Sequence, residues 1–170
     1  MKVRDLPFIR IATETPASGS KSERGKTGII MAEIQSSSTG LSGEYFVAAE
    51  LLRRGFSVGI TMGNAKAIDI LAEKDGKQFI IQVKAIFKKK NVGWPIMVDK
   101  VNESIFYIFV NLNGDNMEAP DYFIATGEEA KPKVKQYEKR GIINFSALNQ
   151  VDFKNRWDKF ANSTIKSNLL

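Results

Sequence analysis

The stretch that decides the fold runs Ala67-Ile68-Asp69-Ile70-Leu71-Ala72-Glu73-Lys74-Asp75-Gly76-Lys77-Gln78-Phe79-Ile80-Ile81-Gln82-Val83-Lys84-Ala85-Ile86. Two apolar segments, Ala67 to Ala72 and Gln78 to Ile86, flank Asp75-Gly76, the dipeptide of a tight hairpin. Both segments are apolar on both faces, which predicts the buried centre of a covered sheet. Each carries polar groups that such a place does not favour: Asp69 in the first, Gln82 and Lys84 in the second. A charge inside an apolar strand is costly unless it is paired or binds an ion. Gln82 and Lys84 are two residues apart and project from one face of their strand, and the hairpin sets Asp69 beside them. Spacing alone leaves two readings open, a buried Asp69–Lys84 ion pair or a working site.

Upstream, Leu41 to Arg54 reads as a helix that stops at Gly55 after two arginines, a C-cap signal with the basic residues at the negative end of the dipole. Leu41, Tyr45, Ala48 and Leu52 form its expected inward stripe, with Glu44 and Leu51 beside it. Glu44 is thus expected on or next to the inward face, aimed at the same layer as Asp69, Gln82 and Lys84. Glu50 can pair with Arg54 one turn on. Phe56 to Met62 is the first strand.

Downstream, Lys88 to Pro95 reads as a loop, Ile105 to Leu112 as an apolar strand, and Tyr122 to Ala125 as a shorter one. Thr126 and Glu129 form a capping box for a helix running toward Arg140, which Pro132 delays or kinks. Lys131, Lys133, Lys135, Lys139 and Arg140 then make a solvated helix face. Phe153, Trp157 and Phe160 have the spacing of a final helix packed on the core. The order predicts an α/β fold with a central mixed β-sheet flanked by helices. Residues 1–37, rich in Ser, Gly and Pro without apolar period, read as a flexible N-terminal extension, and 38–170 as a single domain.

The composition narrows the chemistry. The chain has 170 residues, 43% of them apolar and 26% charged, a globular balance. No apolar run approaches the roughly 18 residues of a membrane helix, and the charged N-terminus is a poor signal peptide, so a cytoplasmic protein is expected. Cysteine and histidine are both 0, which excludes thiolate and histidine nucleophile systems and their zinc sites. Any bound metal must take oxygen ligands, which points to Mg²⁺ or Mn²⁺. A net charge of +6 favours an acidic partner such as nucleic acid.

Gly43-Glu44, the helix end Leu51-Leu52-Arg53-Arg54-Gly55-Phe56, Asn64, Ile68-Asp69-Ile70 and Gln82-Val83-Lys84 together resemble the PD-(D/E)XK nuclease superfamily. The likeness is to the restriction-endonuclease-like branch around the Holliday-junction resolvases, in a QxK variant, and covers about residues 38–90. It implies a core of helix, three-stranded meander, helix and further strand. It also implies a metal-dependent DNA endonuclease in which Asp69, Glu44, Gln82 and the Val83 carbonyl hold Mg²⁺ or Mn²⁺. Lys84 orients the attacking water and stabilises negative charge. Gln82 stands where the family has Glu or Asp, so the site carries one negative charge fewer. DNA is the implied partner, with Lys66, Lys88, Lys89 and Lys90 as a phosphate-contacting rim and homodimerisation an expectation. Trp94 can stack on a base or pack under its loop, and packing is preferred. The alternative is a non-catalytic nucleic-acid-binding or interaction domain that retains the nuclease fold.

Overall fold

In a computed structural model, residues 36–61, 68–88 and 93–163 are described, all within the compact unit Glu33–Leu170. The chain opens with helix α1 (Ser36–Leu52), five residues earlier than Leu41. Ser37, Ser38 and Gly40 are weak helix formers, but α1 is held by packing rather than propensity. Gly55 ends it in the left-handed region (φ 82°), where the Phe56 N–H returns to Leu51 O at 3.2 Å. Glu50 pairs with Arg54 as expected, and with Arg53 at 3.0 Å.

Strands β1 (Ser57–Ile60), β2 (Ile70–Lys74) and β3 (Lys77–Ile86) form an antiparallel meander. Asp75 (φ 52°) and Gly76 (φ 73°) make the β2–β3 hairpin with both central residues left-handed, as a turn matching strand twist requires. Strand β5 (Phe106–Asn111) lies parallel to β3, and β6 (Asp121–Thr126) antiparallel to β5, giving the mixed order β1-β2-β3-β5-β6. A second sheet of three short strands orders β4 (Gly93–Pro95), β8 (Gly141–Asn144) and β7 (Lys135–Gln136). The central sheet is therefore covered twice. On one face α1 buries Val47, Ala48 and Leu51 over Ile70, Ile81, Val83 and Ile108. On the other, the small sheet buries Trp94 and Ile143 over Tyr107, Phe109 and Phe123. Each Val, Leu, Ile or Phe side chain among these contributes about 1.5–3 kcal/mol by leaving water.

Several expectations are corrected. All six β5 residues are buried, but β2 alternates: Leu71 and Glu73 are exposed, so the doubly covered centre is β3, β5 and β6. No α-helix joins β3 to β5 among the described residues, where the resemblance implies one. A 3-10 turn (Val98–Lys100) and β4 take its place, so Gly93–Pro95 is strand rather than loop. The Thr126–Glu129 capping box forms, yet α2 spans only Gly127–Ala130 before a 3-10 turn at Lys131–Lys133. Pro132 has no N–H to continue the ladder, and the chain turns into β7 instead of a helix to Arg140. The C-terminal aromatics do not share one helix. After α3 (Phe145–Leu148) the chain crosses the β6 edge, where Ile124 N–H bonds Phe153 O at 2.9 Å and Asn155 N–H bonds Tyr122 O at 2.9 Å. Phe153 packs on the Trp94 face, while Phe160, in α4 (Lys159–Asn162), packs on the α1 face. The segment thus covers an edge that would otherwise invite strand pairing. The 1–37 extension lies outside the described residues apart from Ser36 and Ser37, which begin α1.

Trp94 is fully buried, donates from Nε1 to Val110 O at 3.0 Å, and meets the rings of Phe109 at 5.4 Å and Phe123 at 5.5 Å. It is a core residue, not a stacking platform.

Candidate active site

Asp69 sits one residue before β2, and its backbone is pulled two ways. Its N–H donates to Ile81 O of β3 at 3.0 Å, while its C=O accepts the Thr61 N–H at the end of β1 at 3.0 Å. In a regular strand both groups of one residue face the same neighbour, so the chain here twists as at a β-bulge, a device that re-aims a side chain. The carboxylate then lies against β3: Asp69 Oδ2 accepts the Val83 N–H at 2.7 Å. Thr61 Oγ1 donates to Ile68 O and has Asp69 O at 3.3 Å, tying down the same corner.

Alternate residues of β3 direct both backbone groups to one neighbour. Ile86 O takes the Leu112 N–H at 2.9 Å on the β5 side, and the Val83 N–H goes to Asp69 on the β2 side. The Val83 carbonyl therefore also faces the β2 edge, beyond the point where β2 begins. The Val83 side chain itself packs under α1. Gln82 and Lys84 project from the opposite face, the one that carries Ile80 and Ile86. Gln82 is 9% exposed, pairs in register with Tyr107, and its amide makes no hydrogen bond among the described residues. Lys84 pairs in register with Phe109 and is half-buried.

Glu44 comes from the α1 side, so the four polar groups do not share one layer. They meet around the open end of β2, with Asp69 in the plane of the sheet between Glu44 on one face and Gln82 and Lys84 on the other. Asp69 is the group that senses both faces, coupled to Glu44 on one and to Lys84 on the other. Burial pushes the Asp69 carboxyl up, against the Val83 N–H and the Lys84 ammonium, which pull it down. Burial also raises Glu44, and the Asp69 charge raises it further. Tyr107 is raised by burial, with the Asn102 N–H opposing and the Asp69 charge adding. Glu44 and Asp69 line a cleft of about 410 Å³ with Leu41, Tyr45, Ile60 and Thr61. A larger cleft of about 450 Å³ lies at the other end of β2, floored by Phe56, Phe79, Trp157 and Phe160.

The inward stripe of α1 is not the expected one. Thr39, Gly43, Val47, Ala48 and Leu51 face the sheet, whereas Leu41, Tyr45 and Leu52 are exposed at 47%, 53% and 57%. The rotation follows from Gly43: a Cβ there would stand 2.5 Å from Ala85 Cβ. The helix backbone rests directly on β3, and bulky residues must turn outward. Gly43 thereby sets the height of Glu44 over the sheet. Its signal was available, since a glycine inside a helix costs about 1 kcal/mol against alanine and asks for a packing reason. Thr61 carried no such signal.

The donor set suits a hard divalent cation. All the groups offered are oxygens, and two carboxylates near one another, both raised, have an unmet need for positive charge. Among the described residues no three Asp, Glu, Cys or His side chains form a group that could hold a metal ion, so an ion here would have only the two carboxylates as charged ligands, with the Gln82 amide and the Val83 carbonyl as the other oxygens offered. Lys88 is exposed just past β3. Lys66, Lys89 and Lys90 lie outside the described residues, as does Asn64.

No family model and no curated protein matches this sequence. Among solved structures, the fold is similar to a bacterial homing endonuclease, I-Ssp6803I, at TM-score 0.45 and 14% identity, over 55% of this chain and 67% of that one. It is also similar to Archaeoglobus fulgidus Hjc, a Holliday junction resolvase from an archaeal hyperthermophile, at TM-score 0.44 and 18% identity, over 64% of this chain and 86% of that one. Among the described residues no helix is long and apolar enough to cross a membrane.

Proposed function

We propose that this protein is a metal-dependent DNA endonuclease of the PD-(D/E)XK type, with Glu44, Asp69, Gln82 and the Val83 carbonyl holding Mg²⁺ or Mn²⁺. The observation that carries the reading is the pinned Asp69 carboxylate, which accepts the Val83 N–H while lying within the electrostatic reach of both Glu44 and Lys84. A purely structural Asp69–Lys84 pair has no use for a second carboxylate, Glu44, whose ionisation the Asp69 charge opposes. A bound divalent ion supplies a Lewis acid and an activated water. Around it, Asp69 and Glu44 provide the negative charge that holds the ion. Lys84 lends an ammonium to the anionic transition state of phosphodiester hydrolysis, a role that needs no histidine. Lys66, Lys88, Lys89 and Lys90 contact phosphates, and their contribution falls with salt.

The test is cleavage of branched, duplex and single-stranded DNA with Mg²⁺ or Mn²⁺, with binding in EDTA alongside. Metal-dependent cleavage lost in Asp69→Asn supports the nuclease. Salt-sensitive binding without cleavage moves the protein to the second reading, a nucleic-acid-binding domain on a nuclease fold. The neutral Gln82 in place of a carboxylate is the specific observation that favours that alternative.

A further inference from the structure

The outward turn of α1 leaves apolar side chains where a helix over a sheet would normally show polar ones. Leu41 and Tyr45 stand one turn apart on its solvent face, half-exposed, and Tyr45 makes no ring contact among the described residues. They are not a scattered pair. Both line the cleft that holds Glu44 and Asp69: α1 brings Leu41 and Tyr45 to it beside Glu44, and Asp69 stands on the sheet side with Ile60 and Thr61. An exposed apolar wall that adjoins a polar centre marks a contact surface.

Resting on the nuclease reading, we propose that Tyr45, backed by Leu41, stacks against an unpaired nucleobase of the DNA strand whose phosphate lies at Glu44 and Asp69, so that the substrate class is DNA with single-stranded or splayed nucleotides at the cut. The chemistry fits each part. A base within a duplex is already stacked on both faces and offers nothing to a ring. An unpaired base has free π-faces and gains from one. The cleft, at about 410 Å³, is concave and open beside the carboxylates. A flat protein partner seated on the same residues would cover Glu44 and Asp69 and shut the substrate out. Leu52, three turns from Leu41 at the far end of α1, lies outside the cleft lining and is left to solvent.

The experiment measures fluorescence anisotropy of labelled single-stranded, splayed-fork and fully paired DNA of one sequence, with Ca²⁺ as an oxygen-seeking ion in place of Mg²⁺ and with EDTA as the control, for the parent protein, Tyr45→Ala and Tyr45→Phe. The parent is expected to prefer the single-stranded and splayed DNA. Tyr45→Ala is expected to bind these about ten-fold more weakly, the order of one lost aromatic stack, with duplex affinity unchanged. Tyr45→Phe, which keeps the ring, is expected to match the parent. Equal losses on all three DNAs, or no loss, overturn the proposal. So does a change of sedimentation coefficient in Tyr45→Ala, which would assign the face to self-association. Cleavage by Asp69→Asn is followed on the same DNAs. Loss of cleavage there without any Tyr45 effect rejects the stacking proposal alone. Cleavage that ignores Asp69 rejects the nuclease reading itself.

Discussion

Asp69 Oδ2 and the Val83 backbone N–H lie 2.7 Å apart, and this one hydrogen bond joins the end of β2 to the middle of β3. It fixes the carboxylate in the plane of the sheet, where charges from both faces act on it. The same bond orients Val83 so that its carbonyl faces that edge. A side chain thereby takes the place of a strand residue and leaves a charged group where β2 would otherwise continue pairing.

Asp69→Asn should separate function from stability. The amide oxygen can still accept the Val83 N–H, so the corner keeps its shape, but the ion loses a charged ligand and cleavage should be lost. The folded pKa values of Asp69 and Glu44 are raised, so the folded state binds more protons than the unfolded chain between the two sets of values. The contribution of these carboxyls is then most favourable below the ordinary carboxylate range, about 4, and is lost as pH rises through their folded values. Asp69→Asn should therefore melt above the parent at pH 7, and the gain should vanish below about pH 4. A melting temperature at pH 7 no higher than the parent's would contradict this.

Mg²⁺ or Mn²⁺ should raise the melting temperature of the parent and not of Asp69→Asn, since an ion that binds only the folded state stabilises it by mass action. Gln82→Glu should enlarge that shift by adding a charged oxygen ligand of nearly the same size. A shift no larger than the parent's would show that the residue at 82 does not touch the ion.

Lys84→Ala should leave the metal-induced melting shift in place and slow cleavage by about 10²-fold or more, the order seen when one transition-state stabiliser is removed. Loss of the metal shift in this variant would make Lys84 a structural partner of Asp69 instead.

Gly43→Ala should destabilise by about 1–3 kcal/mol, because its Cβ would meet Ala85 Cβ at 2.5 Å and lift α1 from β3. The double variant Gly43→Ala with Ala85→Gly exchanges the two sides of the contact and should recover much of the loss in chemical denaturation. Failure to recover would place the cost elsewhere in the helix.

Trp94→Ala should cost about 3–5 kcal/mol, as for a large buried aromatic, without a selective effect on any DNA form. A selective loss of binding at unchanged stability would return Trp94 to the DNA-contacting residues.

The meander and the strand beside it were legible because their signals are local: Asp75-Gly76 specifies its own turn, and an unbroken apolar run such as Ile105 to Val110 needs a sheet covered on both faces. The capping box at Thr126 and Glu129 was equally local, but the length of its helix was not. Pro132 and the pull of the small sheet decided that, and the same sheet gave Gly93 to Pro95 a strand partner in Gly141 to Asn144. The Phe153–Trp157–Phe160 spacing misled because periodicity records which residues are apolar, not whether one face or two receive them.

For the candidate site, the absence of cysteine and histidine limited the sequence to Asp, Glu, Lys, hydroxyl and amide or carbonyl groups, and the resemblance singled out Asp69, Glu44, Gln82 and Lys84 among them. The adjacency of Gln82 and Lys84 followed from the two-residue period of a strand. What only the tertiary structure decided is how these groups meet. Gly43 let α1 settle onto Ala85, which rotated the helix, turned Leu41 and Tyr45 outward and carried Glu44 to one face of the sheet while Gln82 and Lys84 stayed on the other. Asp69 joins them because its backbone twists between Thr61 and Ile81. These are contacts between residues 8 to 42 positions apart along the chain, set by steric closeness and hydrogen bonding that no local pattern encodes.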